Sequence, residues 1–230
     1  ERMVQPPFAD VRAILFDLDG TLVESNIDFE EMKRRVLALA QSYGVDASPW
    51  AAWPTLEIIQ RVMAALERRV SDGAADFASF ANQTIIAVEM DAAARAAPFA
   101  GVSEMLRALD AQGFAVGIVT RNCRAAVRRT LAQAPLWSRV LLTRDDVVHV
   151  KPDPRHLSAA LDAMGMTGQR ALMCGDHPMD IAAGRAIGAV TVGIVRHAEV
   201  HAALAQARPD LLLERVTDLP RYLVASRRTA

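Results

Sequence analysis

Two carboxylates, Asp17 and Asp19, stand one residue apart in Phe16-Asp17-Leu18-Asp19-Gly20-Thr21-Leu22, directly behind the apolar run Ala13-Ile14-Leu15. Acids that close repel each other and lose hydration when they leave water. They form either a solvated turn or the centre of a site with a compensating cation. Polar residues follow other apolar runs in the same way. Thr120, Arg121 and Asn122 follow Phe114–Val119, and Lys151-Pro152 lies downstream of Arg139–Leu142. Gly175 and Asp176 follow Ala171–Cys174, with Asp180 four residues further on. Each has an ordinary structural explanation when taken singly. An aspartate at a strand end caps a helix or makes a turn. Thr120 suits a helix cap, a lone lysine is solvated, and Asp180 suits the first turn of a helix.

Their joint arrival in strand order points further. Several carboxylates crowd together only around a cation. Oxygen donors without thiolate or imidazole suit a hard ion, Mg²⁺ above all. Such an ion beside a lysine and a threonine hydroxyl forms a receptor for a phosphoryl group. An aspartate next to that group can attack it and carry it as an aspartyl-phosphate. A second acid can protonate the leaving oxygen and then take a proton from the hydrolytic water.

These residues need a scaffold that delivers them to one place. The runs Ala13–Phe16, Phe114–Val119, Arg139–Leu142, Ala171–Cys174, Val190–Ile194 and Leu211–Leu213 are apolar on both faces, as buried parallel strands are. Helical patterns alternate with the later ones: Val102–Ala111, Arg124–Ala134, Pro154–Met164 and Met179–Ile187, each bounded by glycine or proline. This repetition predicts an α/β fold, a Rossmann-like parallel sheet with helices on both faces. In such a sheet, ligands bind at the carboxyl ends of the strands, where the polar residues fall.

Residues 23–98 break the rhythm and read as helices without a strand, an inserted helical-bundle cap. Residues 1–22 and 99–230 then form the core domain. Three stripes mark the insert's helices: Met32, Val36, Leu39, Ala40 and Tyr43; Leu56, Ile59, Met63, Leu66 and Val70; Phe77, Phe80, Ala81, Thr84 and Val88. Trp50 and Trp53 are read as filling the insert's core. Lys33, Arg34, Arg35, Arg61, Arg68 and Arg69 are read as a solvated face.

Bulk composition narrows the function. Apolar residues make up 52% of the 230, as in a folded globular protein. Basic and acidic residues balance at 26 against 27, which gives no electrostatic reason to expect nucleic acid or an anionic membrane. Cys123 and Cys174 lack zinc-ligand spacing and read as reduced thiols. The stretch Glu1 to Pro7 lacks the apolar core of a signal peptide. The longest apolar stretch, Ala186 to Val195, is too short to span a bilayer. We expect a soluble cytoplasmic protein, a monomer or homodimer, whose partner is a small molecule.

Asp17-Leu18-Asp19-Gly20-Thr21-Leu22, Thr120, Lys151-Pro152-Asp153-Pro154 and Gly175-Asp176-His177-Pro178-Met179-Asp180 together resemble the haloacid dehalogenase-like hydrolase superfamily. Within it the chain is similar to phosphoglycolate-phosphatase-like members with a helical cap between the first two motifs. Pro98-Phe99-Ala100-Gly101-Val102 resembles their return to the core. The resemblance spans about Ala13 to Gly193. It implies Asp17 as nucleophile and metal ligand, and Asp19 as general acid/base with its carbonyl on Mg²⁺. Thr120 would hold a phosphoryl oxygen and Lys151 would neutralise Asp17 and the phosphate. Asp176 would bind Mg²⁺ directly, and Asp180 would do so through water or by orienting Asp176. Gly20 would open the turn toward the phosphate, with Arg121 and Asn122 on the substrate side. His177 departs from the commonest pattern and is read as a turn residue.

The expected activity is Mg²⁺-dependent hydrolysis of a small phosphorylated metabolite. A phosphomutase of sugar phosphates on the same core is the alternative, and a non-catalytic binding protein is a weaker one. The acid at position 19 argues against a dehalogenase, whose leaving halide needs no proton.

Overall fold

The computed structural model describes residues 8–69, 73–166, 171–196 and 198–228. Every residue of β1 (Ala13–Phe16) is buried, and the run has no polar face because both faces are covered. Ile14 and Phe16 pack with Val102, Leu106 and Leu109 of α4 (Val102–Ala111) on one side. Ala13 and Leu15 pack on the other side, with Leu157 and Leu161 of α6 (Arg155–Ala163) and Ala183 of α7 (Pro178–Ala186). The two-residue period of a strand divides one apolar run between two cores.

The sheet adds β4 (Ala115–Val119), β5 (Val140–Leu142), β6 (Ala171–Gly175), β7 (Val190–Ile194) and β8 (Leu211–Leu213). Its order is β5-β4-β1-β6-β7-β8, all neighbours parallel. Phe16 stands opposite Ile118 of β4 and Cys174 of β6. Asp17, Val119 and Gly175 therefore occupy the next row, and the polar residues behind them leave the sheet at one level. The chain moves outward from β1 through β4 to β5, then crosses to β6 on the other side of β1 and moves outward again to β8, which opens a crevice at the carboxyl end of β1. The remaining helices of this unit are α5 (Arg124–Gln133), α8 (Ala198–Ala207) and α9 (Leu219–Arg228). Six strands and four helices thus fall within a residue or two of the sequence reading. Cys123 and Cys174 are buried free thiols. No helix among the described residues is long and apolar enough to cross a membrane.

The second compact unit runs from Asn26 to Arg95, while the first ends at Ser25 and resumes at Ala96. Its helices are α1 (Phe29–Ser42), α2 (Thr55–Glu67) and α3 (Gly73–Ala93), with a single 3-10 turn at Ser48–Trp50. They enclose a core of their own around Met32, Val36, Ile58, Val62, Phe77 and Ile85. Tyr43 meets Phe77 edge-on, with ring centroids 5.5 Å apart. The first stripe is as expected, with Leu39 and Tyr43 partly buried. The second is rotated: Ile58, Ile59, Val62 and Leu66 are buried, whereas Leu56 and Met63 are only partly so, and Val70 lies outside the described residues. The third turns about Phe77, Ala81, Ile85 and Val88, while Phe80 is 52% exposed and Thr84 bonds its own helix at the Phe80 carbonyl. Both α2 and α3 carry aliphatic residues on more than one side, so spacing alone leaves two candidate faces. Trp53 is also exposed, with the Arg61 guanidinium 3.7 Å above its ring, so it stacks at the surface and does not fill the core.

The 23–98 segment is not free of strands. β2 (Val23–Glu24) and β3 (Ala97–Pro98) pair antiparallel where the chain leaves and re-enters the sheet unit. Two-residue strands carry no periodicity that a sequence could display.

The face of α3 is directly testable. Phe77→Ala should cost about 3–5 kcal/mol of the unfolding free energy in denaturant, and Phe80→Ala less than about 1 kcal/mol.

Candidate active site

Leu18 and Leu22 are fully buried and anchor the turn behind β1. The Leu22 and Val23 amides both donate to the Leu18 carbonyl, at 2.9 and 3.0 Å. With Leu18 turned into the core, Asp17 and Asp19 are sent the other way. Gly20 has φ +82, and a Cβ there would lie 2.0 Å from Asp176 Oδ2. Glycine is required at this position on both counts. Gly175 plays the same part for Asp180, whose Oδ2 would be 2.2 Å from an added Cβ.

Lys151 is 1% exposed, and its ammonium lies 2.5 Å from Asp17 Oδ1 and 2.7 Å from Asp180 Oδ1. Burial alone would lower its pKa, but the two carboxylates overcome that and hold the ammonium above its ordinary value. His156, fully buried on α6, accepts from the Lys151 amide through Nδ1 at 3.3 Å. Burial, followed by the neighbouring Lys151 charge, lowers this imidazole to about 4, so it is neutral. Asp180 is fixed from its own helix as well. His177 Nδ1 accepts from the Met179 amide at 3.1 Å, and Asp180 Oδ2 accepts from the His177 amide at 3.1 Å. This reciprocal cap turns the other Asp180 oxygen to Lys151. His177 is therefore more than a turn residue.

Asp19 faces different partners. Thr120 Oγ1 donates to it at 3.2 Å, Asn122 Nδ2 at 3.2 and 3.3 Å, and the Ser25 hydroxyl bonds it too. Burial holds its carboxyl above the usual range, against the lowering effect of those bonds. The two acids of the motif are thus separated by environment: Asp17 against a cation, Asp19 among neutral donors.

Oxygens of Asp17, Asp176 and Asp180 lie within 4.8 Å of one another. Thr21, fully buried, donates to Asp176 Oδ1 at 3.3 Å. Burial, then the nearby Asp180, raises Asp176 to about 7. Three carboxylates with one lysine are short of positive charge, and an all-oxygen donor set fits a hard divalent cation. The Asp19 carboxylate lies outside this cluster.

Arg121 and Asn122, read from the sequence as substrate-side residues, are bonded within the protein. Arg121 Nη1 bonds the Lys151 carbonyl and lies 3.0 Å from Met179 Sδ. Asn122 spends its amide on Asp19, and its Oδ1 accepts from the Cys123 amide at 2.8 Å. Both tie the protein's own loops together. Sequence reasoning missed His156 and Ser25, which stand in no motif.

The haloacid dehalogenase-like hydrolase family model matches residues 14–194. Pyrophosphatase PpaX of Bacillus cereus strain G9842 is 29% identical over 217 residues, covering 91% of this chain and 94% of the relative. The Listeria monocytogenes pyrophosphatase PpaX is 28% identical over 220 residues, with the same coverage of 91% and 94%. Among solved structures, a predicted phosphoglycolate phosphatase from Haemophilus somnus aligns with TM-score 0.65 at 20% identity, covering 92% of this chain and 97% of that one. A hydrolase from Pseudomonas syringae aligns with TM-score 0.67 at 22% identity, covering 93% and 97%. These structural likenesses establish the fold. The chain belongs to the haloacid dehalogenase-like hydrolases and is an enzyme of the hydrolase class.

Two outcomes test this electrostatic picture. The folded state of the metal-free protein holds the Asp176 proton more tightly than the unfolded chain, so between about pH 4 and 7 it binds the extra proton. Stability should therefore rise as the pH falls from 8 to 5.5. Asp176→Asn should reduce that slope by about 2 kcal/mol over this range, read as thermal midpoints in chelator. Gly20→Ala should abolish any Mg²⁺-induced rise in the midpoint, because its methyl displaces the Asp176 carboxylate.

Proposed function

We propose that this enzyme is a Mg²⁺-dependent phosphatase of a small phosphorylated metabolite, acting through an aspartyl-phosphate on Asp17. The observation that carries the reading is the division of the acid pair, Asp17 beside Lys151 and Asp19 among Ser25, Thr120 and Asn122. An Asp17 oxygen attacks phosphorus as the bond to the leaving oxygen breaks, and Asp19 gives its proton to that oxygen. Asp19 then takes a proton from water, which attacks phosphorus and breaks its bond to Asp17. Inorganic phosphate leaves and both acids return to their starting states. Lys151 holds Asp17 in place and offsets charge on the phosphoryl oxygens. Thr120 orients Asp19 and can turn its hydroxyl to a phosphoryl oxygen.

Asp17, Asp176 and Asp180 would hold the Mg²⁺, which supplies the positive charge that keeps Asp17 ionised and screens the phosphoryl group. Arg121 and Asn122 serve as positioning residues. Residues 26–95 act as the cap that selects the substrate, and the pyrophosphatase relatives make pyrophosphate the first compound to assay.

Phosphate release should require Mg²⁺, stop in EDTA and return on adding Mg²⁺. Asp17→Asn should lower turnover by roughly a thousandfold or more. Survival of activity in Asp17→Asn would remove the nucleophile assignment. Isomerisation of a sugar phosphate without phosphate release would replace the phosphatase with a mutase.

A further inference from the structure

Four arginines stand on loops at the carboxyl edge of the sheet: Arg121 behind β4, Arg144 behind β5, Arg196 behind β7 and Arg215 behind β8. Three are committed to the protein, Arg215 to Asp218 at 3.1 Å. Arg121 bonds the Lys151 carbonyl, and Arg144 Nη1 bonds the Arg121 carbonyl at 3.1 Å. Arg196 is different. Its guanidinium lies over the Phe99 ring, 3.1 Å from the centroid, and makes no hydrogen bond or ion pair among the described residues. Stacking fixes the plane of the fork and leaves its edge free to bond.

Its place matters for two reasons. β7 pairs with β6, and Asp176 follows β6 directly, so Arg196 lies one strand away from the acidic cluster. The charges of Asp176 and of Glu24, on β2, both act on it. The site itself is also poorly suited to a highly charged substrate. Asp17, Asp19, Asp176 and Asp180 outnumber Lys151 by four acids to one base. With Asp19 carrying its proton, a divalent cation brings that balance only to zero, so no positive charge is left over for a second anion. A phosphoryl group alone could be held there, but a second anionic group on the same molecule would meet repulsion unless another cation received it.

We infer that Arg196, held flat on Phe99, binds a second anionic group on the substrate, a carboxylate or second phosphate across the bond that is cleaved. This rests on the phosphatase reading and narrows its substrate class. The substrates are small phosphoryl compounds with two anionic ends, and esters with a neutral leaving group are poor ones. The guanidinium takes two oxygens of the second group in its fork, and the Phe99 ring keeps it aligned before substrate arrives.

The test compares phosphoglycolate and pyrophosphate with p-nitrophenyl phosphate, which has a single anionic group. Each is assayed with wild type, Arg196→Ala and Arg196→Lys. In Arg196→Ala the ratio of kcat/KM for a doubly anionic compound to that for p-nitrophenyl phosphate should fall roughly 10- to 100-fold, mostly through KM. Arg196→Lys should recover part of the loss, and it serves as the informative variant if the alanine protein fails to fold. A fall confined to phosphoglycolate identifies a carboxylate as the second group, and one confined to pyrophosphate identifies a phosphate. Unchanged ratios for both compounds overturn the inference, as does an equal fall for all three. If wild type hydrolyses none of them, the phosphatase reading fails. Calorimetric binding with Mg²⁺ then decides the role of Arg196 separately. Weakening of phosphoglycolate or pyrophosphate at least 10-fold more than of inorganic phosphate supports it, and equal weakening overturns it.

Discussion

The buried ammonium of Lys151 between Asp17 and Asp180 is the interaction on which the arrangement depends. Taking three charges out of water costs several kcal/mol for each, and that cost is offset only while all three remain in contact. Asp17 comes from the end of β1, Asp180 from the first turn of α7, and Lys151 from the loop before α6. These segments meet because β1 lies beside both β4 and β6 in the sheet. Removing Lys151 leaves two buried carboxylates without their cation, and removing either acid leaves the ammonium with one partner in place of two. The surrounding residues serve this constraint: His156 holds the Lys151 backbone, Arg121 its carbonyl, and the His177 cap one oxygen of Asp180.

The acids are arranged so that environment, more than residue type, sets what each can do. Asp17 and Asp19 are the same side chain two positions apart. One touches a cation, and the other touches a hydroxyl and a primary amide. Without a bound cation burial holds both above the usual carboxylate range, Asp17 in spite of Lys151, and Asp19 can keep its proton. Leu18, turned into the core between them, is what sends them into different surroundings. A third acid, Asp176, is pushed up to about 7, first by burial and then by the nearby Asp180.

The sheet was legible in the sequence because its strands are short, apolar on both faces and bounded by turn residues. Their register then carried Asp17, Thr120 and Asp176 to one edge, so strand order alone was enough to gather them. The helical unit was less legible. α3 has aliphatic residues on two sides, and only packing against Tyr43 and its neighbours selects Phe77 over Phe80. β2 and β3 are too short to show a pattern. In the site, identity and spacing revealed the acids and the lysine but not how side chains spend their donors. Arg121 and Asn122 looked available to a substrate and are bonded to the protein. His156 lies five residues past Lys151 inside an ordinary helix, where nothing in the sequence marks it.

The reciprocal cap at the start of α7 has a consequence for how such a chain can change over time. Asp180 is at once the residue that closes the first turn of a helix and one of the acids of the site. Selection for a folded protein therefore guards position 180 even in a lineage under no pressure to keep a reaction. A descendant that lost its chemistry would be free to drift at Asp19 long before it could drift at Asp180. The order in which these positions decay would then distinguish a relic of the enzyme from a working copy.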